Sequence, residues 1–295
     1  MSIAKLEEAI GQLIDETILK VNDPSSIDTA NAEFALVYLR EMTISHKMDK
    51  LSDEITSTLR KASILRAFHR DTILKQLIDK LVFDYGSKVL VETGSFLAHS
   101  SEYIAWKYKH LRVISIELEP SYYELAKRRL SIYENSQVIH GSSDSVLESM
   151  LKDTNFRDSI SSRLPIFFLD AHWYDYLPVA REIELILASN VECIIIVDDF
   201  KVPGHDVFGF DNYGPGKSID LDLIFPVINR FGHCKVYLPS YAEDPDLLLC
   251  DFIRGKCIIV CDVKNSGKAS KLATSKFFKR NFNEIEVSFS VIHQF

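Results

Sequence analysis

Val91-Glu-Thr-Gly-Ser-Phe-Leu-Ala-His-Ser-Ser101 joins an apolar strand beginning near Lys88 to the start of a helix, through a carboxylate and a glycine. Gly94 lets the backbone turn sharply and come close to a ligand, while Ser100 and the free amides of the helix start can hold a carboxylate or a phosphate. A second apolar strand, Val113 to Ile116, ends in Glu117, an acid placed to accept both hydroxyls of a ribose. Together the two strands predict an edge that binds a nucleotide or nucleoside.

Around this stretch, short β-rich runs alternate with helical ones. The strands are predicted at Lys88–Glu92, Val113–Glu117, Val138–His140, Pro165–Leu169 and Val191–Val197, and the helices at Ser100–Tyr108, Tyr122–Ser131, Ser145–Leu151 and Pro178–Leu187. Such alternation implies a parallel sheet wrapped by helices. Cys234–Pro239 and Lys256–Asp262, joined by an acidic loop, suit an antiparallel edge, and Glu284–His293 is a candidate for one more strand. Upstream, apolar residues recur at three- and four-residue spacing, as in Leu6, Ile10, Leu13 and Ile14, then Leu74, Leu77, Ile78 and Leu81. This predicts a helical leader, broken at Asn22–Ser26, with Ser26 or Asp28 capping the next helix. The expected organisation is a helical lid or oligomerisation region over residues 1–84, a cofactor-binding catalytic domain over 85–263, and a C-terminal extension packed on it over 264–295. The fold class is α/β and Rossmann-like: a mostly parallel seven-stranded sheet with flanking helices and an antiparallel edge, preceded by the all-helical region.

A chain of 295 residues with 46% hydrophobic content can bury a large core without covalent staples. Its net charge of −8 argues against a nucleic-acid backbone as main partner. Lys127, Arg128 and Arg129, the densest basic cluster, read as the solvated face of a helix. The five cysteines contain no Cys-x-x-Cys pair and read as buried free thiols. No apolar run approaches the length of a membrane span. These features predict a cytoplasmic protein with a small-molecule partner and neither a nucleic-acid nor a membrane partner; a homodimer through the N-terminal helices is a further expectation.

In an open parallel sheet, ligands sit beyond the carboxyl ends of the strands. Here those ends are acidic: Glu92, Glu117, Gly141-Ser-Ser-Asp144, Asp170 and Asp198-Asp199 follow five successive strands. The first loop lacks the Gly-x-Gly-x-x-Gly pattern of a dinucleotide pyrophosphate turn. A cofactor with an amino-acid end and an adenosine end, and no phosphate, fits better. S-adenosylmethionine has that shape.

With these motifs in their order, residues Lys88 to Asp262 resemble the class I S-adenosylmethionine-dependent methyltransferases, and are most similar to the divalent-metal-dependent O-methyltransferases of the catechol O-methyltransferase type. The first motif of that group, Glu-x-Gly-x-aromatic-x-Gly-x-Ser, is matched by Glu92, Gly94, Phe96 and Ser100, with Ala98 in place of the second glycine. The resemblance implies that Glu117 holds the ribose, Ser100 the methionine carboxylate, and Ser143 with Asp144 the adenine edge. It also implies that Asp170, Asp198 and Asp199 ligate a divalent cation, Mg²⁺ first, with Ca²⁺ or Mn²⁺ as alternatives. Asp170 would also orient the cofactor. Asp199 stands where the group has Asn, and Trp173 or Tyr174 where it often has a lysine. His172 is therefore the titratable candidate for the general base. Lys201–His205 and Phe208–Gly216 read as an acceptor-side segment. The implied activity is methyl transfer to a hydroxyl of a small molecule. The alternatives are a metal-independent N- or O-methyltransferase and a non-catalytic S-adenosylmethionine-binding partner protein.

Overall fold

The computed structural model describes residues 3–22, 29–173, 175–241, 253–263 and 267–285. Eight strands form one sheet: β1 Val89–Thr93, β2 Arg112–Glu117, β3 Ser136–His140, β4 Ile166–Leu169, β5 Cys193–Val197, β6 Cys234–Pro239, β7 Cys257–Cys261 and β8 Phe282–Ile285, in the order β3-β2-β1-β4-β5-β7-β6-β8. The first five run parallel, while β7 is antiparallel to both β5 and β6, and β8 antiparallel to β6. Every residue of β1, β4, β5 and β7 is buried, as continuous apolar strands covered on both faces require.

The connecting helices are α5 His99–Lys107, α6 Pro120–Leu130, α7 Ser143–Lys152, α8 Thr154–Ile160, α9 Val179–Ala188 and α10 Leu221–Ile228, followed near the C-terminus by α11 Lys268–Thr274 and α12 Lys276–Asn281. The Rossmann-like α/β class and the antiparallel edge are as expected, and the sheet carries one strand more than the seven expected. That strand, β8, starts before the run Glu284–His293, most of which lies outside the described residues, as do Ser26, Asp28 and most of the loop between β6 and β7. Among the described residues, no helix is long and apolar enough to cross a membrane.

The leader comprises α1 Ile3–Asn22, α2 Thr29–Ser45, α3 Asp49–Arg66, a turn over Ala67–Arg70 and α4 Thr72–Phe83. Its packing divides at the turn. Ile14, Leu36, Val37, Ile55 and Leu59 of α1–α3 form a separate cluster, into which Leu97 and Leu125 reach from the sheet body. Leu74, Leu77, Ile78 and Leu81 of α4 belong to the main core. The turn is unusual because Phe68, His69 and Arg70 all have left-handed backbones, with φ of 55°, 51° and 66°. Each such residue costs about 1–2 kcal/mol. Packing on either side offsets this: the Phe68 ring lies edge-on to Tyr103 and Phe168, with centroids 6.2 and 5.1 Å away. Asp71 then caps α4 by accepting from the Leu74 amide at 2.8 Å, and accepts from the Tyr241 hydroxyl at 2.9 Å.

The reading of the basic cluster as a solvated face fails at Arg129, whose side chain is fully buried. Its guanidinium reaches Glu33 of α2 at 2.5 Å and Glu102 of α5 at 2.7 Å, and donates to the Leu59 carbonyl at 3.0 Å and the Ser63 hydroxyl at 2.8 Å. Glu33 also pairs with Arg66 and lies 2.8 Å from His99 Nε2. His99 is held well below the usual imidazole range by burial, then by the charges of Arg129 and Arg66, so the neutral ring donates to Glu33. Arg40 reaches across to the carbonyls of Arg128 and Arg129 at 2.6 and 3.1 Å. Arg129→Met would leave Glu33 and Glu102 buried without their shared counter-charge. The variant is expected to lose about 3–5 kcal/mol in denaturant unfolding, and limited proteolysis should cut it within the leader before the sheet.

Candidate active site

The strand order reverses between β1 and β4, and the loops leaving these two strands touch. Asp170 N donates to the Thr93 carbonyl at 3.0 Å, and Gly94 has φ of 79°. A Cβ at Gly94 would collide with the Asp170 carbonyl, so the closeness of the two loops depends on glycine. Beside this contact opens a cavity of about 700 Å³. One end is lined by Gly94, Phe96, Glu117, Tyr122, Ser143 and Tyr176, and the other by His69, Asp170, His172, Asp199, Asp211 and Arg254. Such a crevice at a sheet's switch point is the usual ligand position.

At the first end, Glu117 is oriented by the backbone: Phe96 N donates to Oε2 at 2.8 Å and Glu119 N to Oε1 at 2.9 Å. Phe96 stands half-exposed over the cavity, its ring centroid 4.6 Å from that of Tyr122. Tyr176 closes the far side. Its hydroxyl accepts from Ser143 N at 3.2 Å and donates to Asp144 Oδ1 at 3.2 Å. The sequence reading gives Tyr176 no role of its own, only a place in the Asp170–Tyr176 segment as a pocket wall in the metal-independent alternative, because no motif points at the residue itself.

Two residues of the first motif sit elsewhere. Ser100 does not line the cavity; its hydroxyl accepts from Phe68 N at 3.2 Å and so ties the left-handed turn to α5. Glu92 is buried beneath the floor, where Oε2 accepts from Ser101 at 2.5 Å and Ser115 at 2.7 Å. Burial pushes its carboxyl up to about 7, against the hydrogen bonds of the two serines.

At the second end the three acids named from the sequence do not form one ligand set among the described residues. Asp170 is shared between two sets whose ligand atoms lie within 4.8 Å of one another: His69, Asp170 and Asp198, and Asp170, His172 and Asp199. Asp198 is fully buried, and its Oδ1 accepts from Lys256 Nζ at 2.6 Å and from Asp199 N at 2.8 Å. Asp199 pairs with Arg254, and its Oδ2 lies 3.1 Å from His172 Nε2. The Asp170 and Asp211 carboxylates also approach that nitrogen, at 3.9 and 3.8 Å.

Four carboxylates thus face two fixed cations, Arg254 and Lys256. The imbalance is visible at Asp170, whose carboxyl is raised well above its usual range by burial and then by the charges of Asp198, Asp199 and Glu92. Asp199 is held below it: hydrogen bonds with His172 and Arg254 outweigh burial. Arg254 and His69 are absent from the sequence reading, which has Lys256 only as the start of a strand and Asp211 only as part of the acceptor-side segment Phe208–Gly216. Arg254 and Lys256 precede or begin a strand that reads as plain sheet edge, and only the pairing of β7 with β5 sets them against Asp198 and Asp199. In the segment taken as acceptor-side, Phe208 is buried against Tyr241 while Asp211, paired with Arg254, lines the wall. Trp173 lines the same wall, and Tyr174 lies outside the described residues.

No protein-family model and no curated protein matches the chain. Solved structures that do include an O-methyltransferase from Bacillus cereus in complex with SAH, at 18% identity, covering 71% of this chain and 90% of that one, with a TM-score of 0.45. Another is the O-methyltransferase TomG from Streptomyces achromogenes in complex with SAM, at 16% identity over 69% of this chain and 89% of that one, TM-score 0.45. A third, MtNAS in complex with MTA and tNA, covers 87% of this chain and 89% of its own at 14% identity, TM-score 0.43. At these scores the likenesses carry no functional argument, which rests instead on the site itself.

Glu92 gives a test of the buried floor. Its folded pKa of about 7 lies above the ordinary value of 4.5, so between those limits the unfolded chain sheds a proton that the folded chain keeps. Stability from this group is full below the lower value, falls as pH rises through the window, and stays reduced above it. Glu92→Gln should remove that component, gaining up to about 3 kcal/mol on wild type between pH 4 and pH 8, as read from denaturant midpoints at both pH values.

Proposed function

We propose that the chain is an S-adenosylmethionine-dependent O-methyltransferase that transfers a methyl group to a hydroxyl of a small molecule, assisted by a divalent cation. The observation that carries this reading is the single cavity that runs from Glu117 and Tyr176 to the carboxylate cluster at Asp170. Glu117, with both oxygens oriented by backbone amides, takes the ribose hydroxyls, while Ser143, Asp144 and Tyr176 frame the adenine. Gly94 permits close approach of the cofactor to the floor, with Phe96 on its outer side. The methyl group is then presented toward Asp170 and His172, where an acceptor entering from the Trp173 and Asp211 side would lie. Alignment and electrostatics supply most of the rate.

The donor set suits a hard or borderline divalent cation: among the described residues no lysine or arginine forms an ion pair with Asp170, and two histidine nitrogens stand beside it. Asp170 and Asp198 would hold the cation, which when bound would draw acceptor oxygens together and lower the pKa of the one methylated. His172 removes the acceptor's proton, and Asp199, with Asp170 and Asp211 beside it, stabilises the resulting imidazolium.

A second reading, a metal-independent N- or O-methyltransferase, is favoured by Arg254 and Lys256, which already neutralise Asp199 and Asp198. A non-catalytic S-adenosylmethionine-binding protein would leave the acidic end without a task. Calorimetry with S-adenosylmethionine and S-adenosylhomocysteine, in Mg²⁺ and then in EDTA, should give dissociation constants of about 1 μM or tighter, near −8 kcal/mol. Asp170→Asn is the informative variant, since Asp198→Ala would strand the buried Lys256. It should lower metal-stimulated turnover at least about 100-fold with cofactor affinity little changed. Turnover insensitive to both EDTA and this substitution would establish the metal-independent reading, and absence of cofactor binding would reject both.

A further inference from the structure

We propose that His69, delivered by the left-handed turn of the leader, is a nitrogen ligand of the divalent cation, with Asp170 and Asp198 as its oxygen partners. The inference rests on the cation reading above and adds to it a ligand from outside the sheet.

The starting observation is an unsatisfied atom. Asp198 is fully buried, and its Oδ1 is saturated by Lys256 Nζ at 2.6 Å and Asp199 N at 2.8 Å, yet Oδ2 is enclosed without a hydrogen bond from any of the described residues. A buried carboxylate oxygen left in this way costs about 1–3 kcal/mol or more. The group facing it is His69 Nε2 at 3.6 Å, too far for a hydrogen bond. That separation suits two neighbouring ligands of one ion: metal–ligand distances of about 2.0–2.3 Å put adjacent ligand atoms roughly 3–3.7 Å apart. Asp170 supplies a third atom, with all three within 4.8 Å of one another.

The presentation of His69 is consistent with this role. Its side chain is 43% exposed, so the left-handed backbone is not kept in order to bury the ring. What the turn does is seat Phe68 in the core and, one residue later, put the imidazole at the cavity wall opposite Asp198. One imidazole with two carboxylates is also a different donor set from an all-oxygen site. It shifts preference from Mg²⁺ and Ca²⁺ toward Mn²⁺, Fe²⁺ or Co²⁺. The site is complete only when the leader is docked, which makes α3 and α4 part of the metal centre rather than a cover over it.

The test uses full-length protein and Mn²⁺ alone. Binding is measured by calorimetry, and nitrogen coordination by electron spin-echo modulation, for wild type, His69→Asn, His69→Ala and His172→Ala. Asn tolerates the left-handed backbone, so His69→Asn separates lost ligation from a disturbed turn. The expected result is an imidazole-nitrogen signal in wild type that persists in His172→Ala and disappears in both His69 variants. Their Mn²⁺ affinity should fall at least about tenfold, with melting temperature and S-adenosylhomocysteine affinity near those of wild type. Unchanged Mn²⁺ affinity and an intact nitrogen signal in the His69 variants would overturn the assignment while leaving the cation reading standing. Failure of wild type to bind Mn²⁺ would overturn both. Loss of S-adenosylhomocysteine binding in wild type, with Mn²⁺ still bound through His69, would instead reject methyl transfer and spare the metal site.

Discussion

Arg129 holds the molecule together. One buried guanidinium neutralises a carboxylate from the leader and another from the sheet body, and its remaining donors satisfy a carbonyl and a hydroxyl of α3. Hydrophobic contact alone would let the three leader helices slide over α5 and α6, because apolar packing is non-directional. Charge-assisted hydrogen bonds of fixed geometry do not allow sliding. The position of the turn at Ala67–Arg70, and with it one wall of the cavity, therefore follows from a side chain that contacts no part of the cavity.

A second constraint is electrostatic. Carboxylates accumulate at the ends of β4 and β5 because parallel strands point the same way, and the antiparallel β7 brings Arg254 and Lys256 back against them. The balance is partial by construction. Lys256 is itself buried, and its ammonium form persists because the charges of Asp198 and Asp71 offset its desolvation. Asp198 is thereby held beneath the cavity, with one oxygen engaged by Lys256 and the other facing His69, whereas Asp170 lines the cavity itself.

Legibility in the sequence followed the range of the interactions. The strands could be read because a strand covered on both faces is an uninterrupted apolar run, and the site acids because they close those runs; Glu117, Ser143, Asp170 and Asp199 all line the cavity. The first motif was read one layer too shallow. Glu92 and Ser101 form a buried pair beneath the floor, and Ser100 faces the leader, since one residue along a new helix turns a side chain by about 100°. Arg129 and His69 were illegible for a different reason. A basic residue in a run of three reads as surface until a partner 96 positions away is known to face it, and a histidine in a leader has no strand end to mark it. What local periodicity cannot report is which charge meets which across elements.

That separation in sequence has a consequence for how the chain acquires its structure. Glu33 leaves the ribosome long before Arg129, so the leader helices emerge with a carboxylate that has Arg66 but lacks Arg129 and His99, and with a hydrophobic seam that lacks Leu97 and Leu125. They have no stable resting state until α5 and α6 have been made. Contacts between residues so far apart raise the contact order and slow the search. The leader is therefore synthesised before the elements that hold it and is among the last to settle, and until it does, an incomplete chain exposes an apolar face that chaperones recognise.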